Sequence, residues 1–103
     1  MDNFQAVFTA SELAVNAARS IELNGIKVLV CNAKGEFYAV ENQCTHQAAE
    51  LEGGRIRNCY ISCPLHGVRF NLQTGEPMGT LTRVPVKTFP VRLTGDMLEV
   101  AVD

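Results

Sequence analysis

The chain has 103 residues, a net charge of −2, 47% hydrophobic residues and 19% charged residues, which indicates one globular domain and excludes a disordered chain. No basic run is present to neutralise phosphates, so nucleic-acid binding is not expected. The chain has neither an apolar run near the roughly 20 residues that span a bilayer nor the marks of a secretory signal, so we expect a cytoplasmic protein with reduced thiols.

The first part of the chain allows two interpretations. Good helix formers and a possible N-cap at Ser11 would fit a helix over about 12–23. The Asn24-Gly25 pair that follows predicts a type I′ hairpin turn, and such a turn needs a strand on its N-terminal side. We therefore predict a short helical turn at about 11–13 and a strand from about 18 to 23.

Two further hairpins are predicted from turn residues. The stretch 32–35, Asn-Ala-Lys-Gly, separates two apolar runs and predicts a hairpin with a longer loop than the first. The stretch 94–96, Thr-Gly-Asp, predicts a third hairpin near the C-terminus.

The segment 86–93 precedes that third hairpin and alternates in polarity. Its period of two would place Phe89, Val91 and Leu93 on one face of a half-buried strand. Pro90 cannot donate to a ladder, so this strand is expected at a sheet edge or at a bulge. We therefore predict a β base formed by residues 1–41 and about 84–103. We predict an insert between its strands at residues 42–83.

The insert carries two short motifs that mix sulfur and imidazole. Cys44-Thr45-His46 and Cys63-Pro64-Leu65-His66 each offer one thiolate and one imidazole. Two sulfur and two nitrogen ligands suit either a tetrahedral zinc or a [2Fe–2S] cluster with two cysteines on one iron and two histidines on the other. Common zinc sites pair like ligands on each arm, so the mixed arms favour the cluster, although spacing alone does not exclude zinc.

These motifs resemble those of Rieske ferredoxins, over residues 20 to 103. The similarity extends from Gly-Glu-Phe-Tyr-Ala-Val-Glu-Asn at 35–42 to Phe70-Asn71 and Thr74-Gly75. The resemblance implies an all-β Rieske fold, in which an antiparallel β base carries an inserted small cluster-binding subdomain at 42–83. It also implies one [2Fe–2S] cluster, with Cys44 and Cys63 on the buried iron, and His46 and His66 on the outer iron near the surface.

Four positions depart from the Rieske proteins of cytochrome bc complexes. Ala49 and Leu65 stand where those proteins join their two loops by a disulfide, and Val68 and Phe70 stand where they place a serine and a tyrosine. Hydrogen bonds to sulfur stabilise the reduced state and raise the potential. Since neither Ala49 nor Leu65 can bridge, we predict a protein without a disulfide. Because Val68 and Phe70 carry no hydroxyl, we predict a midpoint potential near the bottom of the Rieske range, about −150 mV.

Other residues of the insert have weaker signals. In the segment 77–85, either Met78 or Leu81 is expected to shield the cluster. Gly53-Gly54 predicts a plain turn, and Gly67 predicts a turn with close backbone approach. A group of charged residues lies near the ligands in the sequence: Glu50, Glu52, Arg55, Arg57 and Arg69. They fit charges that dock a partner protein and an ordinary solvated surface equally well. Of the two remaining cysteines, Cys31 is predicted to be a small buried hydrophobic residue. Cys59 is predicted to be a core or strand residue.

The resemblance implies an electron carrier without catalytic residues of its own. It would pass single electrons from an NAD(P)H-dependent flavoprotein ferredoxin reductase to the terminal oxygenase of an aromatic ring-hydroxylating dioxygenase. Two alternatives remain open: a Rieske-like small subunit of NAD(P)H nitrite reductase, and a zinc-stabilised interaction module. No membrane partner is expected, and a monomer is favoured.

Overall fold

The computed structural model describes residues 3–45, 49–64, 67–79 and 82–102, and nearly all of its regular structure is antiparallel β. A 3₁₀ helix spans Ala10–Glu12. The strands are β1 Gln5–Thr9, β2 Ala18–Leu23, β3 Ile26–Ala33, β4 Glu36–Glu41, β5 Ile56–Arg57, β6 Tyr60–Ser62, β7 Arg69–Asn71, β8 Pro77–Met78, β9 Thr88–Phe89, β10 Val91–Thr94 and β11 Met97–Val100. The predicted all-β class is confirmed. Among the described residues, no helix is long and apolar enough to cross a bilayer.

The strands form three sheets. Their orders are β1-β11-β10, β2-β3-β4-β9 and β5-β6-β7-β8, and every pairing is antiparallel. The third sheet, here called the loop sheet, lies wholly within residues 56–78. The other two sheets contain only strands from residues 5–41 and 88–100.

The sheet β2-β3-β4-β9, here called the middle sheet, is buried on both faces, because β3 and β4 contribute side chains to two separate cores. Val28 and Val30 belong to the base core, which also contains Phe8, Leu13, Ala39, Phe89, Leu98, Val100 and Val102. The alternate residues Leu29 and Cys31 belong to the loop-side core, which also contains Ala33, Val40, Cys44, Leu51, Ile56, Ile61, Cys63, Val68, Phe70, Leu72 and Val86. Successive side chains of a strand point to opposite faces, so the continuous apolar run of β3 supplies both cores. Full burial of each such Val or Leu contributes about 1.5–3 kcal/mol.

The structure resolves the two interpretations of the first segment in favour of a strand. A 3₁₀ turn at Ala10–Glu12 precedes β2 at Ala18–Leu23, so the predicted turn and strand are confirmed and the long helix does not form. Asn24 and Gly25 have φ angles of 52° and 79°, the backbone that a type I′ turn requires.

The second hairpin is tighter than predicted, so the expectation of a longer loop was wrong. β3 continues through Ala33, and the connection is only Lys34-Gly35, with φ angles of 56° and 89°. Asn32 lies in the strand, although asparagine is typical of turns. Its side-chain nitrogen donates to Leu13 O at 2.8 Å, and its oxygen accepts from Gly35 N at 2.9 Å. Asn32 therefore keeps a local bond to the turn at Gly35 while its amide nitrogen binds a partner nineteen residues away.

The C-terminal strand is divided in two at Pro90. β9 pairs with β4 at the edge of the middle sheet, whereas β10 pairs with β11 at the edge of the first sheet. The predicted edge position is confirmed, because neither strand needs a hydrogen bond from the proline nitrogen. The predicted shared face holds only in part: Phe89 is buried, but Leu93 is 53% exposed because β10 has passed to the other sheet.

Candidate metal centre

The two predicted cluster motifs fold into two loops that are closed in the same way. In the first loop, Cys44 N donates to Ala49 O at 2.6 Å, and in the second loop, Cys63 N donates to Val68 O at 2.7 Å. Each cysteine therefore lies at the base of a loop whose backbone closes five residues later. The second loop joins β6 to β7, and the first leads from β4 towards β5.

The two cysteines face one apolar environment. Cys44 and Cys63 are each 1% exposed and belong to the loop-side core. None of the four cysteines, all of which lie in described segments, is in a disulfide bond. Two reduced thiols at the bases of paired loops fit the sulfur half of a [2Fe–2S] donor set. The predicted ligands His46 and His66 lie outside the described residues, as does Leu65.

A buried asparagine, which the sequence analysis missed, holds the first loop in place. Asn42 is 3% exposed, and its backbone N donates to Lys27 O of β3 at 2.9 Å. Its side-chain oxygen accepts from Leu51 N at 2.9 Å and from Glu52 N at 3.0 Å. One side chain thus joins both ends of the segment that contains Cys44. Its position directly after an apolar strand was the only sequence signal, because its partners are nine and ten residues away.

Thr45 connects the first loop to the segment that follows the loop sheet. Its hydroxyl donates to Val84 O at 2.7 Å and lies 3.2 Å from the hydroxyl of Thr82. The segment at 82–84 is therefore the described part of the 77–85 region that contacts this loop. Met78 instead lies in β8, paired with Arg69 and 45% exposed, and the other shielding candidate, Leu81, lies outside the described residues.

The predicted turn at Gly67 is confirmed, whereas close backbone approach is found at Gly54 instead, since nothing described lies within 4 Å of a Cβ placed at Gly67. Gly67 has φ of 72°, and its N donates to Cys63 O at 2.9 Å, so it is a turn glycine. Gly54 is needed for close packing, because a Cβ atom there would lie 1.9 Å from Ser62 O. Gly53 has φ of 91° in the predicted turn.

The positions that lack hydroxyl groups are buried beside the second loop. Val68 is 3% exposed and Phe70 is fully buried, and both pack in the loop-side core with Cys63. Ala49 supplies the carbonyl that closes the first loop. Val68 and Phe70 therefore provide an apolar setting beside Cys63, without the hydroxyl groups that a serine and a tyrosine would offer to sulfur.

The two remaining cysteines have different environments. Cys31 is fully buried as predicted, and burial raises the pKa of its thiol to about 12. Cys59 lies in the turn between β5 and β6 and packs against the loop-side core, so the core alternative of the prediction is confirmed and the strand alternative is not. The carbonyl of Cys59 accepts from Leu72 N at 2.8 Å, which ties this turn to the chain beyond β7.

The charged residues near the loops are divided between two surfaces. Glu50 pairs with Lys27 at 3.3 Å on the side of β3. Arg55, Arg57 and Arg69 instead line one cavity on the outer face of the loop sheet.

An antiparallel β base that carries two cysteine loops is the architecture of a small iron–sulfur protein. The chain belongs to the Rieske [2Fe-2S] domain family, whose profile matches residues 3–90. Its cofactor is therefore a [2Fe–2S] cluster. The ferredoxin component of the naphthalene 1,2-dioxygenase/salicylate 5-hydroxylase systems of Ralstonia sp. is 37% identical over 73 residues, which are 71% of this chain and 70% of that protein.

Solved structures of similar fold fall into two groups by sequence identity. A chain of the complex of reduced oxygenase and oxidized ferredoxin in carbazole 1,9a-dioxygenase has a TM-score of 0.90 and 31% identity, over 98% of this chain and 94% of its own length. A putative NADH-dependent nitrite reductase small subunit from Mycobacterium tuberculosis has a TM-score of 0.91 but only 20% identity, over 100% of this chain and 97% of its own length. That second likeness concerns the fold alone. The ferredoxin relatives identify the chain as an electron-transfer component rather than a catalyst.

Proposed function

We propose that this chain is a cytoplasmic, monomeric, low-potential electron carrier. It takes single electrons from an NAD(P)H-dependent flavoprotein ferredoxin reductase and delivers them to the terminal oxygenase of an aromatic ring-hydroxylating dioxygenase. The observation that carries this proposal is the pair of cysteine loops in a chain that is similar to a dioxygenase ferredoxin over 71% of its length.

Within this proposal, residues 1–103 are a single Rieske domain whose cluster-binding part is 42–83. Cys44, His46, Cys63 and His66 hold one [2Fe–2S] cluster, with the cysteines on the inner iron and the histidines on the outer iron. The bound cluster supplies a centre that accepts and releases one electron. The chain excludes water from the two thiolates through the loop-side core, and it holds their loops through the hydrogen bonds of Asn42 and Thr45.

The ligand assignment is tested by the metal content and visible spectrum of three forms of the protein. The wild type should contain two irons and acid-labile sulfide, with a red-brown colour. His66→Ala should lose the cluster and fold less stably, because cluster binding and folding are coupled. Cys59→Ser is the matched control and should keep the wild-type spectrum. A normal spectrum in His66→Ala, or cluster loss in Cys59→Ser, would show that the ligand set is wrong.

The carrier role is tested by electron transfer between purified components. The chain should be reduced by a flavoprotein ferredoxin reductase with NAD(P)H and then reoxidised by a ring-hydroxylating oxygenase in the presence of aromatic substrate. It should elute alone as a monomer in gel filtration when mixed with candidate enzymes. A stable stoichiometric complex with a nitrite reductase large subunit, without turnover by any oxygenase, would replace the carrier role with that of a fixed subunit.

A further inference from the structure

The outer face of the loop sheet carries three arginines. Ile61 of β6 and Cys63, the residue after β6, are buried, so Ser62 between them points outward. The same alternation around the buried residues Ile56 and Phe70 turns the flanking arginines outward. We call this surface the arginine face. Its residues line a cavity of about 420 Å³ and are Arg55, Arg57, Asn58, Tyr60, Ser62, Arg69 and Met78.

The arginine face gathers three basic side chains that have no carboxylate partner among the described residues. Of the other basic residues in the described segments, Arg19, Lys27 and Arg92 each pair with a glutamate, whereas Lys34, Arg83 and Lys87 also form no ion pair but do not line this cavity. Within residues 3–45, 49–64, 67–79 and 82–102, no ion pair involves an arginine of this face, and no acidic residue lines its cavity. Three like charges around one concavity repel one another, so an incoming group of negative charges would relieve that repulsion.

The arginine face also adjoins the second cysteine loop. Ser62 and Arg69 form the last pair of the β6–β7 hairpin before that loop, and they are the immediate neighbours of Cys63 and Val68. Arg55 and Met78 extend the same row, because Ser62 N donates to Arg55 O at 2.9 Å and Met78 pairs with Arg69. A protein seated on this row would therefore lie beside the proposed redox centre.

The composition of the face favours a protein over a small anion. Arginine, tyrosine and methionine are enriched at protein–protein interfaces, and this face combines all three. Met78 is 45% exposed and offers an apolar contact beside the charges. A similar chain, 31% identical, comes from a complex of oxygenase and ferredoxin, so an oxygenase is the appropriate class of partner.

From these observations we infer that the arginine face docks a carboxylate-rich surface of the terminal oxygenase and guides it to the second cysteine loop; this inference rests on the proposed carrier function. Complementary charge accelerates encounter and orients the two proteins, and salt screens the effect. The face thus determines how quickly the reduced chain finds its electron acceptor.

The test uses the holoprotein, reduced chemically with dithionite, and the oxygenase that reoxidises the wild type in the assay above. The variant Arg55→Gln/Arg69→Gln should lower the second-order rate of oxidation on the order of tenfold at low ionic strength. The difference should shrink at high ionic strength. Arg55→Lys/Arg69→Lys should recover most of the rate, because it restores the charge. The matched control, Lys34→Gln/Lys87→Gln, removes the same charge from exposed positions elsewhere and should change the rate by less than about twofold.

Each result has a separate meaning. Visible spectra and unfolding curves should be unchanged in all variants, which shows that rate effects are not folding effects. Equal rates for the arginine variant and the lysine control would overturn the docking face while leaving the carrier function intact. No oxidation of the wild type by any oxygenase would overturn both. Arginine-dependent binding of inorganic phosphate in calorimetry, with unchanged oxidation rates, would assign a small-anion site and refute a protein partner.

Discussion

Asn42 provides the sharpest test of how the first cysteine loop is held. In Asn42→Ala, the amides of Leu51 and Glu52 lose their acceptor. Leu51 is fully buried, so its N–H becomes an unsatisfied buried donor, at a cost of about 1–3 kcal/mol. Glu52 is exposed, and loss of its hydrogen bond costs about 1 kcal/mol. The free energy of unfolding should therefore fall by about 2–4 kcal/mol.

Asn71→Ala is the matched control. The Asn71 side chain also accepts from two backbone amides, those of Gln73 at 2.8 Å and Thr74 at 3.2 Å. Both donor residues are exposed, so water can replace the lost acceptor, and the cost should be only about 1 kcal/mol. The difference between the two variants isolates the burial of one amide.

Urea unfolding of the holoproteins, followed by circular dichroism, measures both costs. A second measurement is the rate at which the visible absorbance disappears in excess chelator. If opening of the first loop limits cluster release, a loss of about 2 kcal/mol should accelerate release roughly thirtyfold in Asn42→Ala, since 1.4 kcal/mol corresponds to a factor of ten. Equal destabilisation of the two variants, or unchanged release, would refute this account of Asn42.

Three further predictions concern potential, packing and pH. The midpoint potential of the wild type, measured by voltammetry, should lie near −150 mV, and a value well above zero would contradict the low-potential assignment. Phe70→Tyr should raise the potential if the new hydroxyl reaches sulfur. Gly54→Ala should cost about 1–3 kcal/mol in thermal unfolding because its Cβ would meet Ser62 O at 1.9 Å, whereas an unchanged melting temperature would show that the backbone adjusts freely. The Thr9 hydroxyl donates to the Glu12 carboxylate at 2.8 Å. This hydrogen bond is the largest of the effects that lower the pKa of Glu12 below its ordinary value of 4.5. This contribution should therefore be present above pH 4.5 and disappear as the pH falls through the lower folded-state pKa, and Glu12→Gln should flatten that acid slope in unfolding titrations.

The local signals predicted most elements because their chemistry is contained within a few residues. Asn24-Gly25 fixed the first hairpin, since both residues adopt the positive φ angles of a type I′ turn. Asn32 misled the prediction of the second hairpin for the opposite reason. Its turn preference is local, but its side chain bonds to Leu13 O, which only the folded chain brings near. Pro90 indicated an edge, although only the sheet topology shows that the chain changes sheets there.

The sequence alone determined the Rieske family and the ligand candidates, because the spacing of Cys44, His46, Cys63 and His66 and the adjoining glycines are properties of short segments. The tertiary structure decided what surrounds them. It gave both cysteine loops the same backbone closure and buried both thiols in one core. It also collected the arginines of two neighbouring hairpins on a single face. These relations depend on strand register and on which side of a sheet each residue occupies, and both are set by long-range packing.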